Sequence, residues 1–256
     1  MLGFGKNLGS CALCLNGCLI HLFYVRHLVI RQGLMAEDNT KTRILQSAGP
    51  IFAVKGYKDS TVRDICEAAG VNLAAVNYYF GDKQQLYIET VKLARQMRAA
   101  EAPMPEWSNE TPSETKLSDF IRTMTTRMVG LDHAPWQVRL MVREVLQPTA
   151  ACEGLVREYF RPHFDLLLSI LDEILPADTP LPTRHQIGFS IIGQCVHFRV
   201  AGQVVALMVG ENELTQHYSV DQLAQHVTRF SLAALGLSKP LGSNVGTKQN
   251  ETGITG

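Results

Sequence analysis

The chain has 256 residues, and its 24 Lys and Arg are balanced by 24 Asp and Glu, so the formal net charge is zero. This zero net charge excludes a protein that coats nucleic acid through a broad basic surface. The length accommodates one large domain or two modest domains. The six cysteines have neither the spacing of a disulfide framework nor that of a zinc finger. We therefore predict reduced thiols in a cytoplasmic protein, without a metal or a cofactor.

Residues 1–35 do not share the pattern of the rest of the chain. The apolar stretch 10–30 is interrupted by Asn16 and Arg26, among other polar residues. A membrane-spanning helix requires about 20 mostly apolar residues with few or no charges. We interpret residues 1–35 as a non-native or disordered extension in front of a true start at Met35. A membrane or targeting segment at residues 10–30, and with it a membrane-attached regulator, stays an alternative.

Residues 40–54 predict the first helix of a folded domain. Its apolar positions repeat at helical spacing. They are Ile44, Leu45, Ala48, Ile51 and Phe52. We expect Gly56 to end this helix and a kink at Gly49-Pro50, because proline removes an amide donor and crowds the preceding turn.

Residues 60–87 predict two short helices joined by a tight turn. Thr61 and Asp64 fit a capping box at the start of the first helix. Its apolar face follows at i, i+3, i+4 and i+7. That face consists of Val62, Ile65, Cys66 and Ala69. Gly70 is expected to end this helix in the left-handed conformation, which costs glycine least.

The second short helix is predicted to start after Asn72, an N-cap residue. Val76 and Phe80 point to one side and can be buried. The residues on its other faces are Leu73, Ala74, Asn77 and Tyr78. Gly81-Asp82 breaks the chain, and Lys83 opens a longer helix that reaches about residue 100. This layout places one helix in the DNA major groove in helix-turn-helix proteins, although an ordinary helical hairpin has the same spacing.

The segment 60–86 resembles the DNA-binding domain of TetR-family transcriptional regulators. The resemblance is carried by Gly70-Val71-Asn72, Tyr78-Tyr79-Phe80 and Lys83. It implies that the second short helix is the recognition helix and that Tyr78, Tyr79 and Lys83 contact phosphates. The residues predicted to contact double-stranded DNA are Thr61, Arg63, Asn72, Leu73, Ala74, Asn77, Tyr78, Tyr79 and Lys83.

Two positions of the recognition helix differ from the commonest family pattern. Leu73 replaces a residue that is often polar or basic, and Asn77 replaces a frequent tyrosine. Asn can pair with adenine through two hydrogen bonds, and Leu73 or Ala74 can touch a thymine methyl group. We therefore hypothesise a contact that favours A·T pairs.

The remainder of the chain predicts an all-α protein. Residues 101–116 are rich in Pro, Glu, Ser and Thr and indicate a connector. Helices are predicted near 113–131, 135–146, 151–175, 183–209 and 221–236, with Thr183 capping the fourth. We expect a helix-turn-helix domain at 36–100, a helical effector-binding and dimerisation domain at 101–236, and a disordered tail at 237–256.

Two sets of polar residues are candidates for a ligand site in the second domain. Ser190, Gln194 and His197 form a polar stripe on the apolar helix 183–209, which we expect to be buried on more than one side. These polar side chains either form hydrogen bonds within a core or interface, or line a ligand pocket. Arg139 and Arg143 lie one turn apart. They can clamp a carboxylate or phosphate, or form a solvated ion-pair face.

The segments 139–149 and 189–199 resemble the ligand-domain half of the CecR-like subgroup of the TetR family. The resemblance implies that helices 183–209 and 221–236 form a four-helix bundle with a second subunit. Such a homodimer presents its recognition helices to two half-sites about 34–36 Å apart. The function implied is a transcriptional regulator, most simply a repressor, that a small-molecule effector of unknown identity releases from a palindromic operator.

An enzyme is the alternative from another class of function. Cys152 or Cys195 would be the nucleophile and His163 or His197 the base. Cys195 and His197 are two residues apart on one helix, so their side chains point in different directions. The sequence also lacks a Gly-rich phosphate loop and a nucleophile elbow, and we therefore predict no catalytic residue.

Overall fold

The computed structural model of the protein describes residues 39–130 and 136–240. The extension predicted at residues 1–35 lies outside these ranges, as does most of the tail predicted at residues 237–256. The described residues contain helices and no strand, which confirms the predicted all-α fold class.

The described helices are numbered here in chain order. They are α1 (39–59), α2 (Val62–Ala69), α3 (Leu73–Phe80), α4 (Lys83–Glu101), α5 (Ser113–Val129), α6 (Trp136–Leu146), α7 (Ala151–Leu155), a π-helical turn (Val156–Phe160), α8 (Arg161–Ile174), α9 (Leu181–Val200), α10 (Gly202–Val209), α11 (Glu211–His217) and α12 (Val220–Ala234). Helix α11 was not predicted, and the helix predicted at 151–175 consists of α7, the π-helical turn and α8. The N-cap position of α9 is Pro180, so the prediction that Thr183 caps this helix is wrong.

The local signals around α2 are confirmed. The Thr61 hydroxyl accepts a hydrogen bond from the Asp64 amide at 3.1 Å, and the Asp64 carboxylate accepts one from the Thr61 amide at 3.3 Å. This pair satisfies two amides that the first turn of a helix leaves unpaired. Gly70 ends the helix at φ 61°, in the left-handed region.

Helix α1 contacts α6 through two glycines. A Cβ atom on Gly49 would lie 2.5 Å from the indole ring of Trp136, and one on Gly56 would lie 2.5 Å from the Arg143 guanidinium. The glycines are seven residues apart on α1, and so are their partners on α6, so the two helices run side by side. Contrary to prediction, α1 does not end at Gly56 but continues to residue 59. It is helical through Pro50, and the kink stays a prediction.

Two hydrophobic cores hold the described helices together. The first core lies among α1 to α4 and also includes buried residues from α6, α7 and the π-helical turn. Those later members are Leu140, Met141, Ala151, Leu155 and Tyr159. The second core joins α5, α8, α9 and α12, and includes Phe120, Leu167, Ile191 and Val227. Because α6 and α7 share the first core, the helix-turn-helix region is packed directly against the second half of the chain.

The prediction of one helix over 183–209 is wrong. Helix α9 ends at Val200, α10 begins at Gly202, and the two axes differ by 73°. Glycine is a poor helix former, and it stands here at the break. Of the residues in α9, Gly188, Ile191 and Cys195 are buried, and α10 buries none. The expectation that this segment is buried on more than one side therefore does not hold within one chain.

No single helix among the described residues is both long enough and apolar enough to cross a membrane. Helices α9 and α10 together meet that criterion of length and composition as a bent pair. The predicted alternative of a membrane segment at residues 10–30 lies outside the described residues.

Candidate DNA-binding surface

Helix α3 is fixed at its start and along one side. The Asn72 side chain accepts a hydrogen bond from the Ala75 amide at 2.9 Å and so caps the first turn. Val76 and Phe80 are buried in the first hydrophobic core, one turn apart on one face. Because these two side chains anchor the helix from beneath, its opposite face is presented outward.

The outward face of α3 contains the residues that the sequence predicts for base contact. Leu73 has 56% of its surface exposed and Tyr78 has 73%. Asn72, Ala74 and Asn77 are also exposed. Exposed apolar and aromatic side chains that share one face are typical of a surface that binds a partner. The burial pattern therefore agrees with an exposed recognition helix.

The two tyrosines at the end of α3 differ in their surroundings. Tyr79 is half-buried and packs against the first core, whereas Tyr78 lies outside it. Their rings meet edge to face, with centroids 5.0 Å apart and an interplanar angle of 81°. Tyr79 thus supports the ring of Tyr78 and limits the positions that its exposed phenol group can take.

Lys83 is positioned at the amino end of α4. Asp82 caps this helix by accepting from the Gln85 amide at 2.8 Å. The Lys83 ammonium donates to the backbone carbonyl of Lys58 at 3.3 Å and lies 4.7 Å from the centroid of the Tyr57 ring. The ammonium is therefore held near the amino terminus of α4. The positive charge of the ammonium and the partial positive charge of the helix end both favour an anion such as a phosphate there.

Lys58 is a candidate phosphate contact that the sequence reading did not include. It is exposed, and its carbonyl is bonded to Lys83, so the two cationic residues lie side by side. In the sequence, the indication of this role is that Lys58 lies three residues before the N-cap residue Thr61. A tertiary contact was needed to connect it with Lys83, which is 25 residues later in the chain.

Thr61 and Arg63 lie at the start of α2, and both are exposed. The Thr61 oxygen accepts from the Asp64 amide, which leaves its hydroxyl proton available to an acceptor such as phosphate. Arg63 has no hydrogen bond or ion pair within the described part of the chain. The neighbouring Asp64 carboxylate pairs with Lys55, not with Arg63: it accepts a hydrogen bond from the Lys55 ammonium at 2.8 Å. This hydrogen bond is the main cause of the lowered pKa of Asp64.

Helix α6 connects the helix-turn-helix region with the second half of the chain. The Arg143 guanidinium donates to the carbonyls of Val54 at 3.2 Å and Lys55 at 3.3 Å, near the end of α1. The Tyr87 hydroxyl of α4 donates to the fully buried Glu144 carboxylate at 2.9 Å. Burial, followed by the charge of Glu144, raises the pKa of Tyr87 far above its usual range. Arg143 thus holds α1 in place, which differs from the ligand clamp or solvated ion pair that we predicted.

The other residues predicted for a ligand site do not converge within one chain. Arg139 is exposed on α6. Ser190 donates to the Gln186 carbonyl at 2.8 Å, and Gln194 to the Ser190 carbonyl at 3.4 Å, so both bond to their own helix. Ser190 and His197 are exposed and lie on the face of α9 opposite its buried residues. This position fits an interface between subunits, which was one of the two readings of the polar stripe.

Comparison with known proteins identifies the chain. Residues 44–90 match the family model described as bacterial regulatory proteins, tetR family. Residues 113–235 match the model of the C-terminal domain of the HTH-type transcriptional dual regulator CecR. The chain belongs to the TetR family. It is CecR-like, and this membership identifies a DNA-binding transcriptional regulator, not an enzyme.

Similar proteins cover most of this TetR-family chain. The HTH-type transcriptional dual regulator CecR of Shigella flexneri is 24% identical over 212 residues, which are 79% of this chain and 94% of that protein. A TetR-like regulator from Rhodococcus sp. RHA1 has a TM-score of 0.56 at 16% identity, over 78% of this chain and 97% of its own. The regulator FadR from Bacillus subtilis, in complex with stearoyl-CoA, has a TM-score of 0.53 at 19% identity, over 75% and 97% of the two chains. The solved structures support the TetR-type fold.

Proposed function

We propose that this TetR-family protein represses transcription by binding a palindromic operator as a homodimer, and that a small-molecule effector releases it. The observation that carries the proposal is the outward face of α3, anchored by buried Val76 and Phe80 and open at Leu73, Asn77 and Tyr78. An α-helix presented in this way fits the major groove of B-DNA.

The proposed contacts divide into those with phosphates and those with bases. Lys83, Lys58 and Arg63 are cationic residues around the helix-turn-helix, and they position the domain on the DNA backbone. Asn77 offers two hydrogen bonds to adenine, and Leu73 offers apolar contact to a thymine methyl group. The affinity then comes from placed contacts repeated in two subunits, because the chain has no net charge.

The homodimer is supported by apolar side chains that remain exposed on the last helices. Leu207 has 88% of its surface exposed and Met208 has 79%. The large apolar residues exposed on α9, α10 and α12 are Leu181, Phe189, Val200, Val204, Leu207, Met208 and Phe230. A surface of this kind is buried when two copies associate about a twofold axis. The proposed interface corresponds to the predicted segments 183–209 and 221–236.

Release by an effector requires a connection between the two halves of the chain. Arg143 and Glu144 are neighbours on α6, and they bond to α1 and α4 respectively. A ligand that favours another position of α6 would therefore change the positions of both helices and the spacing of the two α3 helices. Such coupling is typically worth about 1–3 kcal/mol. FadR, which shares this fold, is solved with stearoyl-CoA, so the fold accommodates an organic ligand.

The proposal is tested by titrating the protein into fluorescent duplexes taken from the DNA beside its own coding region. We expect tight binding to one of them. Lys83→Ala should weaken binding to all sequences alike and reduce the slope of log K against log salt by about 2, because one phosphate contact is lost in each subunit of the homodimer. The matched control is Lys116→Ala, whose ammonium pairs with Glu173 away from α3. If the wild-type protein binds no duplex at low salt, the proposal is wrong.

A further inference from the structure

The ends of α4 and α5 are joined by two arginines, each of which caps the other's helix. Arg98, in the last turn of α4, donates to the carbonyls of Thr126, at 3.2 Å, and Arg127, in the last turn of α5. Arg127 donates in return to the carbonyl of Ala102, the C-cap residue of α4, at 2.8 Å. Arg98 has 1% of its surface exposed and Arg127 has 2%. Because carbonyls near the end of a helix carry partial negative charge, each buried guanidinium stabilises the end of the other helix.

His163, in the first turn of α8, supports Arg127 through a single tautomer. Its Nδ1 lies 2.6 Å from the Tyr159 carbonyl, which can only accept, so Nδ1 carries the proton. Its Nε2 lies 2.6 Å from Arg127 Nη1, which can only donate, so Nε2 accepts. This arrangement requires a neutral imidazole, because a second proton, on Nε2, would turn two donors towards each other.

The groups that face His163 from α4, α5 and the π-helical turn disfavour its protonation. Burial is the main cause that lowers the pKa of His163, the hydrogen bond with the Tyr159 carbonyl acts against it, and the charge of Arg127 lowers it further. The Tyr159 ring lies against the imidazole, with centroids 4.5 Å apart. Arg98 adds a second buried cation at this junction, and Glu101 pairs with Arg98.

The other ionisable residues of α8, α9 and the π-helical turn supply no counter-charge to His163. Those that pair with another residue are Arg161 with Asp165, Arg184 with Asp172, Glu173 with Lys116, Glu158 with Arg95, and His185 with the Phe164 ring. Arg199, in the last turn of α9, is a cation, so its field has the same sign as that of Arg127. Among the residues that the structure describes, no carboxylate pairs with His163, and a proton added to this buried ring would be unfavourable.

Helix α4 connects this junction with the DNA-binding surface. Near its start, Lys83 bonds to α1 and Tyr87 bonds to α6, whereas its end is held to α5 by Arg98 and Arg127. A helix of 19 residues is about 28 Å long and moves as a rigid rod. Because α3 packs against α4 within the first core, a tilt of α4 after release of its end would also move Lys83 and α3.

We propose that His163 is a pH-dependent switch: the neutral imidazole holds Arg127 against the end of α4, and its protonation releases that end and weakens operator binding. His163 and Arg127 act as positioning residues, because neither is part of the candidate DNA-binding surface. The inference rests on the proposed function, and it adds acidification to the effector as a second signal for release from the operator.

The size of the effect follows from the difference between the two protonation equilibria. In the released state the imidazole has its ordinary pKa of about 6.5, and in the closed state its pKa is lower. The closed state is therefore fully favoured above pH 6.5. Each pH unit below about 6.5 shifts the equilibrium up to about 10-fold towards release, until the lower pKa is reached.

The test compares operator binding by the wild type and His163→Gln between pH 7.5 and 5.5 at constant ionic strength, by fluorescence anisotropy. Gln is neutral throughout this range and still offers Arg127 an acceptor. The wild type should lose about 10-fold more operator affinity than His163→Gln over this range. His217→Gln is the matched control, because His217 is exposed on α11, and it should follow the wild type. Equal losses of affinity by the wild type and His163→Gln would overturn the inference.

A second measurement uses the DNA-free wild type, so it does not depend on the folding of a variant. Nitrogen NMR of the imidazole rings should show the proton of His163 on Nδ1 at pH 7.5, and a pKa below about 6.5 on acidification. A proton on Nε2 at pH 7.5, or a pKa of about 6.5 or higher, would contradict the switch.

The two measurements separate this inference from the proposed function. If the wild type binds the operator tightly at pH 7.5 but its pH profile matches that of His163→Gln, only the switch is wrong. If the wild type binds no operator at pH 7.5, the proposed function is wrong, and the switch loses the output that it is proposed to control. The NMR titration still decides in that case whether His163 is the neutral acceptor for Arg127.

Discussion

The contact between Tyr87 and Glu144 offers a direct measure of how firmly the DNA-binding region is attached to the second half of the chain. Tyr87→Phe removes one hydroxyl group and leaves the ring in its edge-to-face contact with Phe52, whose centroid is 4.8 Å away. The fully buried Glu144 carboxylate then loses the donor at 2.9 Å and retains the Thr149 amide at 3.3 Å.

The expected loss of stability follows from the charge and burial of the acceptor. A hydrogen bond to a charged group contributes about 1.5–3 kcal/mol, and the Glu144 carboxylate that loses this bond is fully buried. The ring volume is nearly unchanged, so no cavity term is added. In a protein of this size, such a loss lowers the melting temperature by about 3–12 °C.

The assay is urea and thermal unfolding followed by circular dichroism. Tyr57→Phe is the matched control, because the Tyr57 ring also packs against Tyr87, at 5.2 Å, and its hydroxyl has no hydrogen bond to a described residue. The control should unfold as the wild type does. If Tyr87→Phe also changes the free energy of unfolding by less than about 0.5 kcal/mol, the hydrogen bond does not hold α4 to α6, and the route proposed for effector coupling is refuted.

Three further predictions follow from exposure and titration. Leu207→Glu should dissociate the homodimer, as measured by sedimentation, because it places a charge in the proposed interface, whereas Val145→Glu on α6 should not. Burial raises the pKa of the Cys195 thiol to about 11, so peptide mapping should find iodoacetamide on Cys195 at pH 8 only after unfolding. The Lys55 hydrogen bond lowers the pKa of Asp64, so Asp64 stabilises the fold above its unfolded pKa. Asp64→Asn should therefore be less stable at neutral pH, and its difference from the wild type should disappear in acid, once the pH falls below the lowered pKa.

The parts of the structure that were predictable from sequence are those fixed by neighbouring residues. The capping box of Thr61 and Asp64, the left-handed Gly70 and the cap at Asn72 join groups three or four residues apart, so their pattern is visible in the chain. The burial of Val76 and Phe80 followed from their spacing alone. These features also define α3, and the sequence therefore predicted the orientation of the candidate recognition helix.

The parts that were not predictable depend on partners far away in the chain. Gly56 was read as the end of α1, yet it provides the space for Arg143, 87 residues later. Arg143 was interpreted as part of a ligand clamp or of a solvated ion-pair face, because spacing shows that two arginines share a face but not what that face contacts. The bend after Val200 had only a weak signal, one glycine in the sequence, because it is a property of the packed helices.

The central claim is that the outward face of α3 enters the operator, and one affinity measurement tests it most directly. Asn77→Asp places a negative charge in the middle of that face, and Gln96→Glu places the same charge on an exposed position of α4. In fluorescence anisotropy with the operator, Asn77→Asp should bind on the order of 100-fold more weakly, at an unchanged melting temperature, because it loses a base contact and is repelled by phosphates. Gln96→Glu should bind within about twofold of the wild type. Equal, tight binding by wild type and Asn77→Asp would contradict the account.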